Sequence, residues 1–216
     1  MPLAVSVVGK SNSGKTTLLE KLVGELRRRG LNIAAIKHTS SDFDLDHPGK
    51  DSWRLARAGS QAVLLSSPQK LALIRSVDRE ASVEELLALA GEGFDLVLVE
   101  GFKNSGLPKI EVHRREQGGL LFAPRDLLAL VTDEAIDAST PQFSADDVGP
   151  LADLLERMAL TRRLTDEVSL VVNGVPVQLN GLTQDIIQRM LLGMLTPLAG
   201  DQEVKNLRIT LQRGQA

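Results

Sequence analysis

The chain has 216 residues, 43% of them hydrophobic, which suffices for one substantial core and a small second one. A formal net charge of -3 gives no overall basic footprint for wrapping nucleic acid, so any large anionic partner needs a local patch. Cysteine is absent, which excludes disulfides, thiolate metal sites and cysteine nucleophiles. That fits a reducing compartment, and the cytoplasm is expected. No run approaches the roughly 18 apolar residues of a membrane span, and residues 1–8 lack the pattern of a targeting segment.

In chain order, LAVSVVG (3–9) reads as a buried parallel strand. Leu18, Leu19, Leu22, Val23 and Leu26 then repeat at helical spacing. The cluster Arg27, Arg28, Arg29 before Gly30 is the termination chemistry of that helix, cations at a negative dipole end followed by a glycine. NIAAIKHT predicts a second buried strand, and the polar stretch SSDFDLDHPGKDS follows it. WRLARAGSQAVLLSS returns to helix and then strand. Ser82 with Glu85 forms a capping box ahead of VEELLALAGEG. FDLVLVEG, PKIEVHR and LLALVTD are three further strands, and Ser144 is expected to open the helix DVGPLADLLERMAL, with Pro150 near its first turn. Strands alternating with helices imply a parallel sheet covered on both faces.

The character changes near residues 164–166. VSLVVNGVPVQL has two apolar runs about Asn173 and Gly174, the strongest short hairpin signal. A helix follows with Ile186, Ile187, Met190, Leu191, Met194 and Leu195 on one face, and NLRITLQR then alternates with period two. The expected organisation is therefore a main domain over 1–162 and a small β-β-α-β extension over 166–216, packed on the main domain or on a partner.

Gly9, Gly14, Lys15 and Thr16 match G-x-x-x-x-G-K-[ST] between the first strand and the first helix, the context the motif requires. Glycines let successive amide N–H groups point inward at phosphate oxygens, and the helix N-terminus adds partial positive charge. Lys15 is expected to reach the β and γ phosphates and Thr16 to ligate Mg²⁺, with Asn12, Ser13 and Thr17 completing the cradle. The loop names a nucleoside triphosphate without saying which. Glu100 closes DLVLVEG where an Asp normally supplies the magnesium carboxylate, so it is a candidate for metal or attacking-water contact; the alternative is a solvated strand-end acid.

Asp42, Asp44 and Asp46 alternate like the start of an EF-hand loop, but position six is His47 instead of glycine and position twelve is Trp53 instead of glutamate. A long polar loop at the C-terminal end of a strand is where doubly wound sheets bind ligands. Lys37, His38, Asp42 and Asp44 are candidates there for switch or metal contacts, against an ordinary solvated loop. His47 and His113 read as structural or exposed.

Three stretches in order, VGKSNSGKTTLL, KHTSSDFDLDHPGKDSWRLARAGS and DLVLVEGFKNSGLPKIEV, resemble the MobB family, GTP-binding adapter proteins of molybdopterin-guanine dinucleotide biosynthesis, over roughly residues 1–160. The resemblance implies a P-loop NTPase-type α/β fold, a homodimer, GTP with Mg²⁺ and weak hydrolysis. It also implies partnership with MobA, the transferase that joins GMP to molybdopterin, and extends to the molybdenum insertion protein. By position it assigns Gly14, Lys15 and Thr16 to phosphate and Mg²⁺, Glu100 to the second magnesium role, and Asp42 and Asp44 to the family's DFD segment. Lys15 and Glu100 are the expected catalytic pair. No N-K-x-D base motif exists, and Asp133 is the substitute, a carboxylate able to accept from guanine N1–H and the 2-amino group. The alternative for Asp133 is a strand-end or helix-capping role. Lys10 occupies the place of a lysine that reaches into a partner's site in dimerising nucleotide switches. Two other readings stay open: a small-molecule kinase using Arg54 and Arg57, and an ATP-driven metal insertion factor, which would expect a His or Cys cluster.

Overall fold

A computed structural model of the chain describes residues 2–39, 41, 43, 46–91, 93–163, 170–172, 175–177 and 179–199. The chain divides into two compact units, Met1–Thr165 and Asp166–Ala216. In the first unit the elements run β1 (Leu3–Val8), α1 (Lys15–Arg28), β2 (Ile33–Lys37), α2 (Asp51–Arg57), β3 (Ala62–Ser66), β4 (Leu71–Arg75), α3 (Val83–Ala90), β5 (Leu96–Glu100), β6 (Lys109–Val112), β7 (Ala129–Val131), β8 (Gln142–Phe143) and α4 (Gly149–Arg163).

Six strands form one sheet in the order β2-β5-β1-β6-β7-β8, with every neighbouring pair parallel. Parallel pairing needs crossovers and leaves both faces to be covered. On one face α1 and α4 bury Leu18, Leu22, Leu26, Leu151 and Leu155 against Val5, Val7, Leu98 and Ile110. On the other, Val83 and Leu87 of α3 meet Ala4, Val97 and Val99. The alternation of Val5 and Val7 to one core and Ala4 to the other is the two-residue period of a strand buried on both sides. Each fully buried leucine contributes about 1.5–3 kcal/mol.

The helix ends follow local chemistry. Gly30 adopts φ +87° beyond α1, and the Arg29 guanidinium reaches Glu25 on its own helix and Asp153 and Glu156 on α4, at 2.8, 2.6 and 2.9 Å. Ser82 and Glu85 form the complete capping box of α3.

Three expectations are corrected. The stretch NIAAIKHT was expected to be a buried strand, but β2 is an edge strand and only partly covered. The strand after α2 does not join the parallel sheet: β3 pairs antiparallel with β4, for which no strand was predicted, through a turn in which Ser67 N–H donates to Lys70 O at 2.8 Å. Pro68 after Ser67 sets the φ that such a turn needs, so a local hairpin wins over a distant sheet edge. The last helix of this unit opens at Gly149 and not at Ser144, whose hydroxyl accepts from Asp146 N–H in a turn of its own. Pro150 lies in the first turn, where its missing N–H costs nothing.

In the second unit β9 (Leu170–Val172) pairs antiparallel with β10 (Val175–Val177), and α5 spans Gly181–Ala199. Asn180 opens α5, its Oδ1 accepting from the Thr183 N–H and hydroxyl at 2.8 Å each. Ile186, Met190 and Met194 are exposed. The turn residues Asn173 and Gly174 and the strand expected at 206–213 lie outside the described residues. Among the described residues no helix is long and apolar enough to cross a membrane.

Candidate functional site

The site is built where β1 stops. Register pairs Val7 with Glu100, Val8 with Glu111 and Val112 with Val131, so the C-terminal ends of β5, β1, β6 and β7 lie side by side. Gly9 takes φ +149°, and a Cβ there would lie 2.4 Å from Val112 O and 2.7 Å from Ser13 Oγ. Only glycine fits. Asn12 is left-handed at φ +61°, a conformation that asparagine tolerates better than most residues, and Gly14 is left-handed at φ +95° as the N-cap of α1. Among the described residues no side chain caps α1, and no acid occupies its first turn, which leaves the N-terminal N–H groups available to an anion.

The charged side chains converge on this loop. Lys15 Nζ donates to Gly9 O at 3.1 Å and to Lys10 O at 2.7 Å, so the ammonium folds back over the loop. Thr16 Oγ1 donates to Glu100 Oε2 at 2.9 Å, and Lys37 Nζ stands 3.5 Å from Glu100 Oε1. The Glu100 side chain is only 12% exposed, which removes it from the class of freely solvated strand-end acids. Ser13 Oγ is buried and has no hydrogen-bond partner among the described residues. An open cavity of about 480 Å³ is lined by Ser11, Asn12 and Gly14 of the loop, Lys15, Thr16 and Thr17 of α1, and Lys37 and Glu100. Uncapped N–H groups, a lysine and a hydroxyl-carboxylate pair in one concavity fit a magnesium-bound polyphosphate.

Asp133 follows β7 and is not among the cavity-lining residues. Its Oδ1 accepts from the Arg115 N–H at 2.9 Å, and its Oδ2 lies 3.6 Å from Arg114 Nη1. The Arg115 backbone donor first, and the Arg114 charge after it, hold the Asp133 carboxyl below the ordinary carboxylate range. Arg114 reaches the other way too, its Nε donating to Ser13 O at 3.2 Å.

Among the other candidates, His38 pairs with Glu80 through Nε2, and its ring packs on Phe102 with centroids 4.5 Å apart. Gly101 and Phe102 are both left-handed, at φ +99° and +51°, turning the chain sharply away after Glu100. Asp42 and Asp44 lie outside the described residues. His113 is buried and bonded to Glu134 at 2.8 Å, and His47 is exposed, matching the structural and exposed readings. Lys10 Nζ donates to Gln117 O of its own chain at 2.6 Å, an engagement that competes with any reach into a partner. Sequence reasoning passed over Arg114 and Gln117. The available signal was their position just past the C-terminal end of a parallel strand beside the loop strand.

The family model described as Molybdopterin guanine dinucleotide synthesis protein B, MobB, matches residues 4–133, a span that holds the loop, Glu100 and Asp133. The molybdopterin-guanine dinucleotide biosynthesis adapter proteins of Haemophilus influenzae and Escherichia coli are each 36% identical over 154 residues. Those matches cover 70% and 67% of this chain and 86% of each relative. The crystal structure of a molybdopterin-guanine biosynthesis protein B superposes with a TM-score of 0.56 at 31% identity, covering 72% of this chain and 99% of that one. Bacillus subtilis MobB does so with a TM-score of 0.58 at 26% identity, covering 73% and 97%. With its matched span extending over well over half of its length and its parallel sheet shared with those structures, the chain belongs to the MobB family of molybdopterin-guanine dinucleotide synthesis proteins.

Proposed function

We propose that this MobB-family adapter of molybdopterin-guanine dinucleotide biosynthesis binds GTP with Mg²⁺ in the Gly9–Thr16 loop, hydrolyses it weakly, and holds it for a MobA-type guanylyltransferase. The observation that carries the reading is the Thr16–Glu100 hydrogen bond beside a Lys15 ammonium already folded over the loop. Lys15 would neutralise phosphate charge, the N–H groups at the start of α1 would donate to phosphate oxygens, and Thr16 with Glu100 would supply the protein oxygens for the metal. Bound Mg²⁺ draws charge from the phosphate oxygens. Glu100 can in addition orient a water, and Lys37 steadies its carboxylate.

Asp133 is the proposed reader of guanine. A carboxylate has about four acceptor sites, and the Arg115 and Arg114 contacts leave room for guanine N1–H and its 2-amino group. Adenine presents no such donor pair. The homodimer, the cytoplasmic setting and contact with a molybdenum insertion protein belong to the same proposal and follow the family. The kinase reading is weakened because Arg54 pairs with Asp51 and Arg57 lies over Trp53, both on their own helix α2.

Calorimetric titration of the whole chain with Mg²⁺ and GTP, ATP or xanthosine triphosphate tests this. GTP is expected to bind at least tenfold tighter than ATP, because adenine offers the Asp133 carboxylate no matching donor pair. Asp133→Asn is expected to shift the preference toward the xanthine nucleotide, whose 2-oxygen accepts where guanine donates. Equal binding of GTP and ATP would remove the guanine reading, and phosphate transfer to an acceptor in place of free phosphate release would favour the kinase.

A further inference from the structure

The segment after β6 grips the phosphate loop from outside. Arg114 Nε donates to Ser13 O at 3.2 Å, and Gln117 Nε2 donates to Ser11 O at 3.0 Å. Gln117 O in turn accepts Lys10 Nζ at 2.6 Å. Arg114 Nη2 also lies 3.3 Å from the point a Cβ on Gly14 would occupy, so the guanidinium rests on the turn into α1.

The geometry of the peptide unit gives these contacts a consequence. In a planar trans peptide the C=O and the following N–H point in opposite directions. Anchoring the Ser13 carbonyl outward on Arg114 therefore turns the Gly14 N–H the other way, and anchoring the Ser11 carbonyl on Gln117 does the same for Asn12. Gly14 and Asn12 both line the cavity. The loop amides are thus oriented by two side chains that are not among the cavity-lining residues.

Arg114 is in turn held from its far side. Asp133 Oδ2 stands 3.6 Å from Arg114 Nη1, and Asp133 Oδ1 fixes the Arg115 N–H at 2.9 Å. One guanidinium therefore bridges the carboxylate at the end of β7 and the carbonyl inside the phosphate loop. We propose that Arg114 is a positioning residue that orders the phosphate loop through the Ser13 carbonyl, and that Asp133 acts on the loop through Arg114 as well as on the base. This rests on the nucleotide reading of the loop given above and deepens it, because it couples the base end of the site to the phosphate end.

The test uses a ligand with no base. The whole chain and its Asp133→Asn, Arg114→Ala, Arg114→Lys and Arg114→Ala/Asp133→Asn variants are titrated with tripolyphosphate and with GTP, each with Mg²⁺. Hydrogen exchange of the loop amides is read in the ligand-free proteins, with exchange in the central strands reporting that each variant is folded. Asp133→Asn is expected to weaken tripolyphosphate binding about threefold, the size of a partly exposed ion pair, and to speed exchange in the loop. Arg114→Ala is expected to cost about tenfold, with Arg114→Lys recovering part of it, and the double variant no more than Arg114→Ala alone.

Unchanged tripolyphosphate affinity and loop exchange in Asp133→Asn, or additive losses in the double variant, would overturn the coupling while leaving GTP recognition intact. A wild-type chain that bound neither GTP nor tripolyphosphate would overturn the nucleotide reading instead. In that case the ligand-free exchange rates alone would decide whether Arg114 orders the loop.

Discussion

The Thr16 hydroxyl donates to Glu100 Oε2 at 2.9 Å, joining the first turn of α1 to the end of β5 across 84 positions of sequence. Because β1 and β5 are neighbours in the sheet, the residue that follows the loop lysine and the acid that closes β5 meet without any rearrangement. The pair divides into two experiments. Glu100→Gln keeps an acceptor for the Thr16 hydroxyl and removes the charge. It is expected to leave the fold intact, raise the Mg²⁺ concentration needed for nucleotide binding about tenfold, and lower hydrolysis. Titrating Mg²⁺ at fixed GTP reads it, and an unaltered metal requirement would place Glu100 outside the metal's reach.

Lys15→Ala removes the ammonium that folds onto Gly9 O and Lys10 O. Hydrogen bonds to charged groups contribute about 1.5–3 kcal/mol each, so nucleotide affinity is expected to fall by at least tenfold. Thermal stability without ligand should fall as well, because Gly9 O and Lys10 O lose their charged donor, but by less than the stabilisation that bound nucleotide gives the parent chain. Calorimetry and a melting curve on the same sample separate the two effects.

Gly9→Ala sets a Cβ 2.4 Å from the Val112 carbonyl oxygen in a conformation that only glycine adopts readily. The neighbour is backbone of β6 and has little freedom to move, so a loss of about 2–4 kcal/mol is expected in denaturant unfolding. Gly106→Ala, where a Cβ would meet nothing within 4 Å, is the matched control and should stay within about 0.5 kcal/mol.

Leu22 of α1 is fully buried in the larger core, whereas Leu71 of β4 is 74% exposed. Leu22→Ala is expected to cost about 2–5 kcal/mol and Leu71→Ala less than about 0.5 kcal/mol. A loss at Leu71 as large as at Leu22 would show that the β3–β4 hairpin is covered in solution.

Acid stability has identifiable sources. Hydrogen bonds from Arg28 and then Arg29 lower the Glu25 carboxyl from 4.5 to about 2, and those from Arg79 and then the Ser82 N–H lower Glu85 by the same route to about 2. Both groups have depressed values in the folded state, so their stabilisation is complete above the ordinary 4.5 and is lost as pH falls from there toward 2. The variant Glu25→Gln/Glu85→Gln is expected to show a shallower fall in stability across that window than the parent chain. Salt should shrink the difference, because these pairs lie near the surface.

What the sequence determined by itself is the part set by neighbours a few residues apart. The glycines and lysine of the loop, the helical spacing of Leu18, Leu22 and Leu26, the Ser82–Glu85 capping box and the strand runs either side of Asn173 and Gly174 each depend on backbone preferences within about one turn. Only the tertiary structure decided the strand order, which puts β2 at an edge and leaves β3 with β4 outside the parallel sheet. It also decided that Arg114 meets Ser13, 101 positions away, and that Lys10 is held by Gln117, 107 positions away. Sheet order is settled by competition among all strands for buried neighbours and by the crossovers that connect them, and no local pattern records its outcome.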